Sequence, residues 1–597
     1  MAAQNRTYSY LVPLSGVVLI TLIVYYPVLN AKLVNIDDFE IISNLTGDMH
    51  IKALIREFVD VHIDRYYRPI SQISFIFDYN IWQWQSSGYH LTNYMVHLLN
   101  GILFWLILRR LQTIFHYKDQ FIAAACALLF SVHPLTCESV AWVSGRTDVI
   151  AIFFCLAAFY FYLSYSKLRF ISVPVCMLLG LWTKESALAL APLLILSDLF
   201  ISHHKFQDWR KAVYSAMSWG IILLIPLCLY FYLRMGGGSQ LDHGVTLAFS
   251  DKTEDIIKTR AAHHDILNYL INIGAAIGFY IKKLFVPFPL NFAIAEIAYI
   301  PYIIFLITLI SICAVLIFRK KLEYPVWLLL LIISFSPALV VATSKMAWMP
   351  FAERYLYMSC AVWATAIFFL ANYISNHSPS MQRYVSCFLM VILCIWSIGT
   401  FNRTFIWHDN QSLWHATIQD SPNSAKVMFK YAAVLIDKGD DEGGNNLLNR
   451  ALKNARSSRF KSYILLGLAS QARKKNQNHK AEELIKQALE TDHNIYTYKA
   501  MASYLMQIKT SDPDEHQKNI KKAVEYLRKV YNINHDPVCL YNIAKIFVKG
   551  DTGAAQVTCR EIIHHHPTSE YAAYAQTILN KLKSIEQTEP PSHNRKI

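Results

Sequence analysis

The residues best suited to chemistry in this chain are charged side chains at the ends of apolar segments. They are Asp37 and Asp38; His133, Glu138, Arg146 and Asp148; Lys184 with Glu185; and Glu353 with Arg354. An ionisable group near the centre of a bilayer costs about 2.5 to 3.5 kcal/mol on insertion scales, so such groups usually mark a polar cavity. Their positions predict one active site that faces a single compartment.

Asp37 and Asp38 are the candidate catalytic residues. They follow the first apolar segment, in the run NIDDFEIISN, and open the loop 30–90. Two adjacent carboxyl groups can differ in pKa when one is hydrogen-bonded and the other is desolvated, which suits a general base acting on a hydroxyl. As a bare pattern, the pair fits a solvated loop start or a helix cap equally well.

Three cations are candidates for binding a phosphate group: Arg146, Lys184 and Arg354. Guanidinium and ammonium groups are the usual phosphate ligands of proteins. Residues expected to support them are His133, Glu138, Asp148, Glu185, Glu353 and Arg68. The alternative is internal pairing, for example of Arg146 with Asp148, which would only hold the loops in place. No residues have the spacing of metal ligands, and a divalent metal is left open.

Composition predicts two kinds of protein in one chain of 597 residues, of which 54% are hydrophobic and 16% charged. Residues 1–405 alternate apolar runs with short basic loops, whereas residues 410–582 are polar and contain no run long enough to cross a bilayer. The net charge of +14 arises largely in loops beside apolar runs, which fits the positive-inside rule rather than nucleic-acid binding.

The apolar runs predict about eleven membrane spans, with the basic loops on the inner side and an odd count that leaves the C-terminal part outside. The spans are expected at 8–29, 91–111, 119–135, 148–165, 169–183, 187–203, 212–233, 300–318, 325–343, 355–374 and 383–401. Segment 265–288 is apolar enough to cross, but a twelfth span would reverse every later loop. We therefore interpret it as re-entrant or interfacial.

The polar part contains an internal repeat. Ala432 and Ala451 recur 37 positions later as Ala469 and Ala488, at points where two antiparallel helices would touch. About four such helix pairs fit a tetratricopeptide-like α-solenoid. The tail 583–597 is expected to be disordered.

The ordered runs NIDDFEIISN, YYRPISQISFIFDYN, HPLTCESVAWVSGRTDVIAIFF, WTKESALALAPLLILSDL and AERYLYM, followed by repeats, resemble the transmembrane and tetratricopeptide-repeat O-mannosyltransferase family. The resemblance implies an all-α polytopic bundle of the GT-C type. It also implies a polyprenyl-phosphate sugar as co-substrate and an outward-facing site. In this sequence Asp37 and Asp38 match the family's first-loop acidic motif. Arg146 and Asp148 match its GR-x-D motif, and the KE and AER motifs fall on Lys184–Glu185 and Glu353–Arg354.

The favoured function is therefore inverting transfer of a mannose-like hexose from polyprenyl phosphate to a Ser or Thr hydroxyl of a protein held by the repeats. The alternatives are a transporter or lipid flippase, because polar groups in spans also line permeation paths, and a non-catalytic scaffold acting through its repeats. The few repeats favour a bacterial inner membrane over the endoplasmic reticulum, with the repeats on the periplasmic or lumenal side. Expected partners are the lipid-linked donor, a protein acceptor and membrane lipid, without nucleic acid.

Overall fold

The structure is a computed structural model. It describes residues 2–45, 49–59, 67–164, 166–235, 266–294, 297–319, 323–344, 349–508, 512–548, 550–567 and 569–588. The chain divides into two compact units, Met1–Ser421 and Pro422–Ile597. Over the described ranges the regular elements are helices, with one isolated bridge between Ile294 and Phe351. The expected all-α fold is confirmed.

The first unit contains eighteen described α-helices. They are α1 Ala2–Tyr25, α2 Asp38–Ser43, α3 Ile51–Val59, α4 Pro69–Trp82, α5 Ser86–Ile114, α6 Gln120–Ser131, α7 Cys137–Ala141, α8 Arg146–Tyr162, α9 Arg169–Leu181, α10 Leu190–Phe206, α11 Trp209–Arg234, α12 Ile266–Phe285, α13 Tyr299–Phe318, α14 Glu323–Ser334, α15 Ser336–Ser344, α16 Tyr357–His377, α17 Gln382–Ile406 and α18 Asn410–Asp420. Short 3-10 turns precede α8, α10 and α16, at Val143–Gly145, Glu185–Ala189 and Glu353–Leu356.

Eight helices in the described part are long and apolar enough to cross a membrane, or ten if two bent pairs each count as one span. The bends are 41° between α6 and Pro134–Ala141, and 57° between α14 and α15. Pro134 and Pro337 follow the two breaks, and proline interrupts a helix because it has no N–H to donate. One of the eleven expected spans, 169–183, is not among these ten. It corresponds to α9, which has only 13 residues.

The interpretation of segment 265–288 as re-entrant or interfacial stays a prediction; its described helix is not among those that are long and apolar enough to cross a membrane. Residues Ile266–Phe285 form one unbroken helix of 20 residues, long enough at about 1.5 Å per residue to cross the hydrocarbon core. The helix packs antiparallel on α13, with Gly278 beside Tyr302 and Gly274 beside Leu306. A side chain at Gly278 would overlap the carbonyl oxygen of Tyr302, and one at Gly274 would contact Leu306. Glycine at these positions permits the close approach.

The second unit contains nine described helices. They are α19 Ala425–Asp437, α20 Asp441–Asn454, α21 Ser458–Lys474, α22 Asn478–Thr491, α23 Ile495–Gln507, α24 Pro513–Asn534, α25 Pro537–Phe547, α26 Thr552–His565 and α27 Glu570–Thr588. They form four consecutive helix pairs and a last single helix, as the repeat predicts. All four alanines of the repeat are buried, and a side chain at Gly444 would collide with Ile436 across the first pair.

Two expected boundaries differ from the structure. Helix α18, assigned from sequence to the repeats, is part of the first unit, which ends at Ser421. The tail expected to be disordered from residue 583 is helical as far as Thr588, and residues 589–597 lie outside the described ranges.

Candidate active site

The charged loops of the first unit meet at one end of the helical bundle. Hydrogen bonds join the loop after α1 to the turn before α8, the loop before α4 to the turn before α10, and α7 to the turn before α16. The pairs are Ser144 with Asp38, Arg68 with Glu185 and Arg354 with Glu138. This convergence of residues far apart in sequence defines the candidate site.

Asp37 and Asp38 have different surroundings. Asp38 is 1% exposed, and its carboxylate accepts hydrogen bonds from the backbone N–H of Val34 at 3.0 Å and of Ser144 at 3.1 Å, and from Ser144 Oγ at 2.5 Å. Burial raises the pKa of Asp38 to about 6. Asp37 is exposed at the N-cap position of α2 and makes no side-chain cap bond there, which leaves the solvated loop start as the alternative to a catalytic role. Asp37 is therefore the carboxylate that an acceptor can reach.

Helix α18 fixes the chain just before these carboxylates. The backbone N–H of Asn35 donates to Asn410 Oδ1 at 2.7 Å, and Trp414 Nε1 donates to Asn35 Oδ1 at 2.8 Å. Trp414 is fully buried. Two residues before Asp37, both the backbone N–H and the side chain of Asn35 are thus held by α18.

Arg146 is a structural residue in this geometry, which corrects its assignment as a phosphate ligand. Its side chain is fully buried, and it donates to Asp78 Oδ2 at 2.5 Å, to Asn93 Oδ1 at 3.1 Å and to the carbonyl oxygens of Ser74 and Tyr89. The proposed pairing with Asp148 is also wrong. Residues two apart at the start of a helix point to different sides, so Arg146 and Asp148 take different partners.

Lys184 and Arg354 each bind a carboxylate but keep part of their surface open. Lys184 Nζ lies 2.6 Å from both oxygens of Asp148, and Arg354 donates to Glu138 at 2.6 Å. The side chains of both cations are 11% exposed, and both lie near the Tyr355 ring. Arg354 also stacks over Trp142, two residues before Ser144. The turn that carries Ser144 therefore links the Asp38 carboxylate to Arg354.

Glu185 contacts two further cations, Arg68 and Arg234, which are more exposed than Lys184 and Arg354. Arg68 donates to Glu185 Oε2 from two nitrogens, at 2.7 and 3.1 Å, and Arg234 lies 3.7 Å from Glu185 Oε1. The side chains of Arg68 and Arg234 are 21% and 37% exposed. Tyr230 contacts Arg234 through its hydroxyl at 2.7 Å. Among the described cations of the charged end, Arg68 and Arg234 are the most exposed.

Glu353 and His133 form hydrogen bonds with backbone groups near the site. Glu353 Oε1 accepts from Lys283 Nζ at 2.9 Å and from the backbone N–H of Asn291 at 2.8 Å, while Arg403 lies 3.8 Å from its second oxygen. His133 is fully buried and contacts the carbonyl oxygen of Leu284 at 3.2 Å. Neither side chain presents a polar surface to a ligand.

Sequence reasoning missed four charged residues of this end. They are Asp78, Arg234, Lys283 and Arg403. Asp78 lies in the matched run YYRPISQISFIFDYN, and a lone carboxylate in that apolar context was the available signal. The other three lie within one turn of the end of an apolar helix, where cations usually serve the membrane interface.

Four carboxylates at this end, those of Glu138, Asp148, Glu185 and Glu353, are already paired with cations. In the part of the chain that the structure describes, no group of three or more His, Cys, Asp or Glu side chains is placed to hold a metal ion. What the geometry offers is a layer of partly open cations at the same end of the bundle as an exposed carboxylate.

Comparison with known proteins points to one family. No family model matches the chain. It is 24% identical over 382 residues to protein O-mannosyl-transferase F38B6.6 of Caenorhabditis elegans, a match that covers 62% of this chain and 51% of that protein. Protein O-mannosyl-transferase TMTC1 of Homo sapiens is 25% identical over 435 residues, covering 65% of this chain and 48% of that protein. The chain thus spans about half the length of these two relatives.

Two further matches are shorter or weaker. Protein O-mannosyl-transferase TMTC3 of Mus musculus is 34% identical over 101 residues, which is 17% of this chain and 10% of that protein. The crystal structure of the APC/C hetero-tetramer Cut9-Hcn1 matches with a TM-score of 0.19 and 9% identity, over 88% of this chain and 98% of that one. This score is too low to support an argument about the fold. The curated relatives nevertheless confirm the resemblance drawn from the motifs: the chain is similar to the transmembrane and tetratricopeptide-repeat protein O-mannosyltransferases.

Proposed function

We propose that this chain is a membrane glycosyltransferase that moves a mannose-like hexose from a polyprenyl-phosphate donor to a Ser or Thr hydroxyl of a protein. The observation that carries the proposal is the layer of partly exposed cations at the same end of the bundle as the exposed Asp37. We call this layer the cation layer; it consists of Arg68, Lys184, Arg234 and Arg354. The names of the curated relatives support the same reaction class.

The charge balance of the cation layer suits a phosphodiester. Its four cations face three carboxylates, Glu138, Asp148 and Glu185. One positive charge is left over, which matches the single negative charge of a phosphate that is esterified to both a lipid and a sugar. Cations beside a leaving phosphate stabilise the charge that develops on it, and they act more strongly where water is excluded.

In the proposed reaction the acceptor oxygen attacks the anomeric carbon of the sugar. Asp37 takes the hydroxyl proton, a new C–O bond forms, and the bond between the anomeric carbon and the phosphate oxygen breaks. The electron pair of that bond leaves with the lipid phosphate, which the cation layer holds. Attack from the side opposite the phosphate inverts the anomeric configuration.

Asp38 is the positioning residue in this mechanism. Its hydrogen bonds to Val34 and Ser144 tie the Asp37 loop to the turn before α8, which also carries Trp142 under Arg354. The base and the cation layer are therefore fixed to one another through a single turn. A general base contributes about 10²- to 10⁴-fold when it is held in this way.

We also propose a side of the membrane for the repeats and a test for the kind of membrane and for a metal requirement. Asn291 donates to Ser421 Oγ at 2.9 Å, and Asn291 also binds Glu353, so the chain leaves the first unit at its charged end. This supports placing the repeats on the side of the membrane where acceptor proteins approach, periplasmic or lumenal. The preference for a bacterial inner membrane stays a prediction, which imaging of a tagged chain would test. A divalent metal stays an open part of the proposal, and transfer measured with and without EDTA tests it.

The test is transfer of radiolabelled sugar in membranes that contain the full chain. Candidate donors are polyprenyl-phosphate sugars, with the polyprenyl-diphosphate form as the matched control. Label in protein from a monophosphate donor, lost in Arg68→Ala/Arg234→Ala, is the expected result. No label from any donor with folded protein would refute the function and favour the transporter or the scaffold.

A further inference from the structure

Charge is distributed unevenly between the two kinds of helix in the second unit. The first helices of the four pairs, α19, α21, α23 and α25, contain eight basic residues and a single acidic one. The second helices, α20, α22, α24 and α26, contain ten basic and nine acidic residues. A solenoid that needed charge only for solubility would distribute both signs over both sets.

Aromatic rings join neighbouring first helices. Phe429 of α19 packs on Phe460 of α21, with 5.6 Å between ring centroids, and Tyr463 of α21 packs on Tyr496 of α23 at 5.1 Å. Further along, Tyr541 of α25 packs at 5.5 Å on a tyrosine of α27. Tyr496 is 59% exposed, so much of its ring is open to a partner.

The cations stand among these rings. Lys426 Nζ lies 5.8 Å from the centroid of Phe460, and Lys545 Nζ lies 5.5 Å from that of Tyr541. Arg459, Arg473 and Lys545 are exposed. We call these rings and cations, borne by the first helix of each pair, the first-helix face. Rings beside cations bind a chain that offers both apolar and anionic groups.

We propose that the first-helix face binds an extended, acidic polypeptide segment, and that this segment is the acceptor chain or lies next to it. The excess of positive charge sets the sign of the partner. Packed helices lie about 10 Å apart and an extended chain rises about 3.3 Å per residue, so roughly three residues of the partner would cross each repeat. An acidic residue at about every third position fits that spacing.

The identification of the segment as an acceptor rests on the proposed function, whereas binding is measured without any donor. The probe is a fluorescent 15-residue Ser-containing peptide with Glu at every third position, and its control has Lys at the same positions. Fluorescence anisotropy with the detergent-solubilised full chain reports affinity. We expect the Glu peptide to bind at 50 mM salt and to weaken at least tenfold at 300 mM, as screening requires.

Matched charge reversals locate the binding face. The variant Arg459→Glu/Arg473→Glu/Lys545→Glu reverses three exposed cations of first helices, and Lys453→Glu/Lys480→Glu/Lys521→Glu reverses three exposed cations of second helices. We expect at least tenfold weaker binding in the first variant and less than twofold change in the second. Tyr496→Ala, which removes an exposed ring, should weaken binding about threefold. Because this ring also packs on Tyr463, the thermal melt of the variant is recorded on the same preparation.

Three outcomes would overturn the proposal. They are equal loss in both triple variants, equal affinity for the Lys peptide, and full competition by phosphatidylserine vesicles or RNA at equal charge. If binding follows the proposal but no donor supports transfer, the binding face stands and the glycosyltransferase assignment fails. If the first triple variant still transfers sugar to a short Ser peptide and its binding of the Glu peptide is also unchanged, the glycosyltransferase assignment stands and the binding face fails.

Discussion

The charged end of the bundle has a buried layer and an open layer, and they use the same residue types differently. In the buried layer Arg146 pairs with Asp78 and Lys283 with Glu353, with side chains 8% exposed or less. In the open layer Arg68, Arg234 and Glu185 are 21 to 37% exposed. Buried pairs hold the loops together, and the open layer is left to meet a ligand. Exposure, rather than charge or motif membership, distinguishes the two layers, and the proposed function assigns the ligand contacts to the more exposed side chains.

The largest effect expected from breaking this division is loss of the folded protein in Asp78→Ala. Removing one partner of a buried ion pair leaves an uncompensated charge and costs about 3 to 5 kcal/mol. Thermal unfolding of the purified protein, followed by fluorescence-detected gel filtration, should show the loss. A melting temperature equal to that of the wild type would show that Arg146 does not depend on Asp78.

The next effect is a pH dependence that comes from Asp38. Burial raises its pKa to about 6 from the ordinary 3.8, so the folded state binds the proton more tightly than the unfolded state does. The stability that this gives is complete below about pH 4 and is lost as the pH rises through 6, a difference of about 3 kcal/mol. Denaturant unfolding at pH 4, 5, 6 and 7 measures it, and the dependence should be absent in Asp38→Asn. An identical profile in that variant would assign the effect to another group.

A smaller effect is expected when the open layer is changed. Arg234→Ala should raise the KM for the lipid donor about tenfold, which corresponds to about 1.4 kcal/mol, because the guanidinium contributes one charge-assisted contact to the phosphate. Stability should change by less than about 1 kcal/mol, the usual limit for an exposed ion pair. Lys211→Ala, which removes an exposed cation at the opposite end of the same helix, α11, is the matched control. Equal effects on KM in both variants would remove Arg234 from the donor site.

Sequence reasoning reached the location of this end but not the assignment of its partners. Charges at the ends of apolar runs converge because spans that alternate in direction bring every second loop to the same side, which patterning alone can predict. Arg146 was misassigned because its partner, Asp78, lies 68 positions away and no local pattern indicates it. For the helix at Ile266–Phe285, composition does not decide between a crossing and an interfacial position, because its last turn contains Lys282 and Lys283, and the pairing of Lys283 with Glu353 is seen only in the folded chain.

The repeats were easier to predict than the bundle. Small residues at a fixed period identify helix contacts directly, and Ala432, Ala451, Ala469 and Ala488 are all buried as expected. The end of the first unit was missed because α18 is polar in composition, like a repeat helix. Its Trp414 packs in the first unit and hydrogen-bonds Asn35, which only the folded chain reveals.

The measurement that tests the account most directly is sugar transfer by Asp37→Asn, with the thermal melt recorded on the same preparation. Asp37 is exposed and Asp38 is buried, so the account predicts a loss of about 10²- to 10⁴-fold in transfer rate, the contribution of a general base, with an unchanged melting temperature. Asp37→Asn that transfers sugar at the wild-type rate would contradict it.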